Sequence, residues 1–173
     1  MGPDRHFEAP WGISVRVVTL LSTAFTIGLL YVLVTMVLSS SRVLGRTTLF
    51  GAILLLSYFG CLVFSIRGYT LSGNTLRIQR LLTVKEIDLH GLEAVEYDPD
   101  AMKWSWCIFC NRGIFAITGF LSNQKLGTYK ALATDPKRAV VLRFPKKTVV
   151  ITPDKPEIFI ARLQETNDAV GRQ

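Results

Sequence analysis

Charge is missing from two long stretches near the start of this chain. Val17–Leu38 and Thr47–Ile66 contain no Asp, Glu, Lys, Arg or His. With no ionisable side chain inside either, a transport pathway for ions or protons through them is not expected. Metal ligands are also scarce, with three cysteines and two histidines in 173 residues. Cys61 falls inside the second apolar run, and His6 and His90 are isolated, so a four-ligand zinc site has too few partners. There is no HExxH, EF-hand loop, phosphate-binding glycine loop or nucleophile–base arrangement. The acidic group Glu93, Glu96, Asp98 and Asp100 contains no catalytic pair. No enzymatic centre and no cofactor are expected.

The apolar runs are what the chain has in place of a site. A helix crosses a bilayer with roughly 20 apolar residues at ~1.5 Å each. Both runs reach that length, so residues 1–66 read as a short tail and a transmembrane hairpin with spans at 17–38 and 47–66. The first run is longer than the ~7–15 residues of a cleaved signal's apolar region. Lys and Arg set the orientation. Arg5, Arg16, Arg67, Arg77, Arg80 and Lys85 flank the outer ends of the runs, against Arg42 and Arg46 between them. Both termini are therefore expected in the cytoplasm. Ala24 and Gly28 have the spacing of a helix-packing pair, so self-association of the hairpins is conceivable.

Residues 67–166 read as one modest domain, followed by a polar tail at 167–173. Strand signals dominate it. Tyr69–Leu71 and Thr75–Ile78 flank a Ser-Gly-Asn turn, and 83–89 and 92–97 alternate as half-buried strands do. A further hairpin is expected across 119–133, with its turn at 122–125. Ala139–Phe144 and Thr148–Thr152 are short and β-branched. The segment 98–115 shows no clear period. A closing helix is expected after Asp154, with Glu157 completing a capping pattern and Ile158, Phe159, Ile160 and Leu163 on its apolar face. About seven antiparallel strands and one helix suggest a bent sheet plugged at one end.

That order resembles the bacterial pleckstrin-homology-like domains that follow a membrane hairpin. The residues carrying the resemblance are Tyr69-Thr70-Leu71, Leu76-Arg77-Ile78, Ile87-Asp88-Leu89, Asn111-Arg112-Gly113-Ile114-Phe115, Gly119-Phe120 and Gly127–Ala131. Ala133-Thr134-Asp135, Ala139–Leu142 and Val150-Ile151-Thr152-Pro153 leading to Pro156–Phe159 continue it. The resemblance implies a small β-barrel with a C-terminal helix, no enzymatic activity, and a protein or lipid interaction at the cytoplasmic face of a bacterial plasma membrane. It supplies no ligand residues. The aromatic and cysteine-rich 104–110 departs from its pattern.

Three groups could carry function. Lys137-Arg138 and Lys146-Lys147 stand in successive turns and could meet an acidic partner or anionic phospholipid, although a solvated basic face is the plainer reading. Trp104, Trp106 and Phe109 could form an interface or fill the core. Cys107 and Cys110 have CxxC spacing, for which packing is preferred over a thiol or metal role. Sixteen Lys and Arg against eleven Asp and Glu in 67–173 make a basic surface, but without a reading motif no nucleic-acid partner is expected. A protein partner is the leading expectation, with lipid sensing and thiol or metal chemistry as alternatives.

Overall fold

The computed structural model describes residues 5–39 and 44–170. Half of the loop expected between the two apolar runs, residues 40–43 with Arg42, and the end of the expected tail at 171–173 lie outside them. The first apolar run forms α1 (Ile13–Ser39), whose most apolar 18-residue stretch has a mean hydropathy of 2.2, the one described helix long and apolar enough to cross a membrane. The second forms α2 (Leu44–Val63), whose apolar part, Thr48–Val63, is shorter. It stops before the expected Ile66 because Ile66 is already strand, paired with Arg80.

The helices lie against each other. The Thr23 and Tyr58 hydroxyls hydrogen-bond, and a Cβ at Gly51 would stand 3.6 Å from Leu33 Cδ1. Gly28 faces open space. The first two turns of α1 belong to the β domain. Val15 is fully buried there, Thr19 Oγ1 donates to the Gly113 carbonyl at 3.2 Å, and Phe115 N–H donates back to it at 3.0 Å. That leaves about 20 residues of α1 beyond the domain, close to ~30 Å of helix, one hydrocarbon thickness.

Ten strands are described. One sheet holds β1 (Arg5–Glu8), β2 (Ile66–Ser72), β3 (Thr75–Arg80) and β4 (Val84–Asp88) in that order. The other runs β5 (Ala94–Tyr97), β9 (Val140–Phe144), β10 (Lys147–Ile151), β8 (Gly127–Ala133), β7 (Ile117–Asn123), β6 (Trp106–Arg112). α3 (Pro156–Val170) closes the chain.

This differs from the expected closed barrel of about seven antiparallel strands. The sheets are two and open, and β10 pairs with β8 in parallel. The chain reverses after β8 through the 3-10 turn Pro136–Arg138, skips one strand position, and returns by the β9–β10 hairpin into the gap. β1 lies in what read as a tail. It pairs antiparallel with β2 and puts Phe7 edge-on against Phe159 of α3, at 5.1 Å between ring centroids. α3 runs on through 167–170, past the expected start of the polar tail.

One core lies between the sheets and under α3. It joins Tyr69, Leu76, Ile78 and Ile87 to Leu132, Leu142, Val149, Ile151 and Phe159. A second covers the opposite face of the larger sheet, joining Val15 and Met102 to Tyr129, Val141 and Val150. Tyr69 ties the sheets together: its hydroxyl donates to the Leu132 carbonyl at 2.7 Å and accepts from Thr152 N–H at 3.2 Å. Burial pushes its phenol up to about 12.

Candidate functional site

β6 ends its sheet, so among the described residues one side of its backbone has no neighbouring strand. Its side chains are large, apolar and open to solvent. Trp106 is 79% exposed, Phe109 83% and Ile108 61%, and Trp104, just before the strand, is 92% exposed. The structure therefore removes the core-filling alternative for Trp104, Trp106 and Phe109. Trp104 also sits at φ 53°, a left-handed conformation that a bulky L residue enters only under constraint. Ser105 supplies that constraint. It is buried, and its hydroxyl lies 2.7 Å from the Tyr129 hydroxyl and donates to the Met102 carbonyl at 3.0 Å.

The pairing of β6 with β7 shifts between Cys107 and Phe109, leaving Ile108 as a bulge. Gly119 makes this possible. At φ 128° it lies so close to the Phe109 carbonyl and the Cys110 backbone that a Cβ would collide with both. Cys107 and Cys110 are joined by a disulfide across the bulge. Cys107 is exposed and Cys110 half-buried against the second core, so the expected pair of packed free thiols is corrected. Local geometry decides this, because the bulge brings two residues three apart to a Cα separation of 5.7 Å. Among the described residues no cluster of three or more His, Cys, Asp or Glu side chains could hold a metal ion.

Beside Trp104 and Trp106 lies a groove of about 930 Å³, lined also by Lys103, Arg112 and Lys125. Lys125 bonds the Asp98 carboxylate at 2.5 Å, which raises its ammonium pKa. Lys103 pairs with Asp100 at 2.9 Å. No single segment of the sequence marks this groove, because its residues come from three separate stretches. The interleaving of cations with tryptophans around 103–112 was its only local signal.

The four basic residues singled out by sequence are not brought together. Lys137 and Arg138 stand before β9 and Lys146 and Lys147 after it, a strand's length apart. Arg138 is engaged, donating from Nη1 to the Asp154 carbonyl at 2.8 Å and lying near Asp135. Lys147 extends over the Phe144 ring.

A family model described as "Bacterial PH domain" matches residues 67–167. No curated protein and no solved structure matches the chain.

Proposed function

The chain belongs to the bacterial PH domain family, and we propose that it is a non-enzymatic, membrane-anchored module that recruits or stabilises a protein partner through β6. The observation that carries this is an edge strand bearing three exposed large apolar residues, Trp106, Ile108 and Phe109, with a fourth, Trp104, just before it. Such an edge is normally shielded, because it invites another chain to add a strand. Here it is advertised. A partner strand laid along β6 gains backbone hydrogen bonds, and the aromatic side chains supply the anchors that dominate interface energies. Arg112 borders the same groove with no carboxylate partner among the described residues and suits a partner segment with an acidic residue, whereas Lys103 and Lys125 are held by Asp100 and Asp98.

α1 and α2 hold this surface at the membrane as a two-span hairpin in the bacterial plasma membrane. Tethering raises the effective concentration of partners in the same membrane, so weak contacts suffice. The distribution of Lys and Arg favours a cytoplasmic domain with both termini on that side. The Cys107–Cys110 disulfide pulls the other way, since oxidising compartments are where disulfides persist. A membrane-impermeant maleimide, applied to intact cells after mild reduction, decides the side. A cytoplasmic domain leaves both thiols unlabelled until the membrane is opened.

The partner reading is tested by photo-crosslinking in native membranes, with a photoreactive residue at Phe109 or, as control, at the exposed His90. Discrete protein adducts are expected at Phe109 alone, and Trp106→Ser should abolish them. Adducts only to lipid, or equal yields at the two positions, defeat the proposal.

A further inference from the structure

Strand alternation places four cations on the inner face of the sandwich, where its core rows run out. On β3 the row Leu76, Ile78 is followed by Arg80, and on β4 Ile87 is preceded by Lys85. On β8 Leu132 is preceded by Lys130, and on β10 Val149 and Ile151 are preceded by Lys147. Each cation is two residues from a buried member of the same core, so all four point between the sheets. Aromatic rings floor the cluster. Lys130 Nζ lies 5.3 Å from the Phe120 ring centroid, Lys147 Nζ 4.8 Å from Phe144, and the Arg80 guanidinium 5.2 Å from Phe64.

No carboxylate balances this charge. Among the described residues none of the four cations has an ion-pair partner. Glu86, next to Lys85, points to the opposite face and is held by Arg77 at 2.9 Å. The Lys85 ammonium is pushed down to about 8, first by the Lys130 ammonium beside it, then by burial and by the charges of Arg80 and Lys147. Arg80 Nε is buried without a hydrogen-bond partner. Uncompensated like charges turned toward a core cost stability, and an anion with several acceptor oxygens would relieve all of it at once.

We propose that Arg80, Lys85, Lys130 and Lys147 form a binding site for a phosphate group. Arg80 pairs with Ile66, three residues past the end of α2, so the site opens on the side of the domain from which the helices leave. The phosphate could be that of an anionic phospholipid headgroup in the anchoring membrane or a soluble phosphate compound; the residues and chemistry are the same. The site lies apart from the Lys137-Arg138 turn and does not depend on the β6 interface.

The test is a brief pulse of an amine-acylating reagent on the full chain in nanodiscs, with each lysine quantified by mass spectrometry. In phosphatidylcholine discs without phosphate, Lys85 should react well over tenfold faster than the exposed Lys137, since its ammonium is pushed down to about 8 and each pKa unit is tenfold in neutral amine. Inorganic phosphate, or discs containing phosphatidylglycerol, should slow Lys85 at least tenfold and protect Lys147 as well, while sparing Lys137. Slowing by phosphate alone assigns a soluble ligand, and slowing by phosphatidylglycerol alone assigns a headgroup; both support the site. In a Lys85→Met, Lys130→Met variant, Lys147 should lose its protection. The proposal is overturned if neither condition slows Lys85, if Lys137 slows equally, or if Lys147 stays protected in the variant.

Discussion

β9 and β6 belong to one sheet and are comparably apolar, yet they meet opposite fates. Val140, Val141 and Leu142 of β9 are fully buried, because each face of the sheet there carries its own core. In β6 nearly every side chain reaches solvent. The difference is position. β9 and β10 sit where the small sheet and α3 cover one face while α1 and the segment around Met102 cover the other. Along Trp106–Phe109 of β6 both covers have ended. Hydropathy alone cannot separate a strand that builds the core from one that waits for a partner, whereas its place in the sheet can.

The contrast breaks if the two strands respond alike to truncation. Leu142→Ala should destabilise the domain by about 2–5 kcal/mol, the range for a buried leucine that leaves a cavity. Chemical denaturation of the detergent-solubilised chain measures it. Tyr69→Phe comes next. It leaves the Leu132 carbonyl and Thr152 N–H without their hydroxyl partner, at about 1–3 kcal/mol. It also changes the alkaline limb. The folded phenol titrates near 12 against 10 for an ordinary tyrosine, so the folded state holds its proton more tightly. That contribution is complete below pH 10 and disappears as pH rises through about 12. The Phe variant should therefore lose less stability across that window.

These contrasts show what was legible in sequence. β3, β4, β9 and β10 announce themselves by alternation or by β-branched runs, and α3 by its apolar spacing. β6 does not. Trp106–Cys110 is apolar at almost every position and carries a bulge, so no period survives. β1 offers one apolar residue in four, Phe7, and exists because β2 accepts it. The expected cap on α3 is not made, and Asp154 Oδ1 is buried without a hydrogen-bond partner. Asp154 N–H donates to the Glu8 carbonyl, so β1 fixes that loop, and the helix begins at Pro156. The separation of Lys137-Arg138 from Lys146-Lys147 was within reach, since a five-residue strand at ~3.3 Å per residue must keep them apart. The cations around Lys85 were written in the alternation too, as charged residues in apolar rows, but the convergence of two sheets upon them is tertiary.

Within β4 the same contrast appears in miniature, with Ile87 and Lys85 on one face and opposite in consequence. Lys85→Met should stabilise the ligand-free chain near neutral pH, by ~0.5–1 kcal/mol once solvent screening is allowed for. The sign follows from linkage. The folded ammonium titrates near 8 and the unfolded one near 10.5, so between those values the unfolded state binds more protons and stability rises with pH. The advantage of the Met variant should shrink across that window and vanish above it. Thermal melts at pH 7 and pH 10.5 in phosphate-free buffer measure both limbs.

The smallest expected stability effect sharpens the comparison most. Trp106→Ser and Phe109→Ser remove large apolar side chains from a strand, which in β9 would be severe. On the open edge they should shift stability by less than ~0.5 kcal/mol, because the lost surface was never withdrawn from water. If the strand serves a partner, the same substitutions should abolish crosslinked adducts at neighbouring β6 positions while melts remain superimposable. A large loss of stability would mean that these rings are covered within the chain's own assembly, in which case β6 is a core strand whose cover is a second copy. Unchanged stability together with unchanged crosslinking would leave β6 an ordinary edge. The two measurements on one pair of variants thus separate an interface for another protein, an interface for self, and no interface at all.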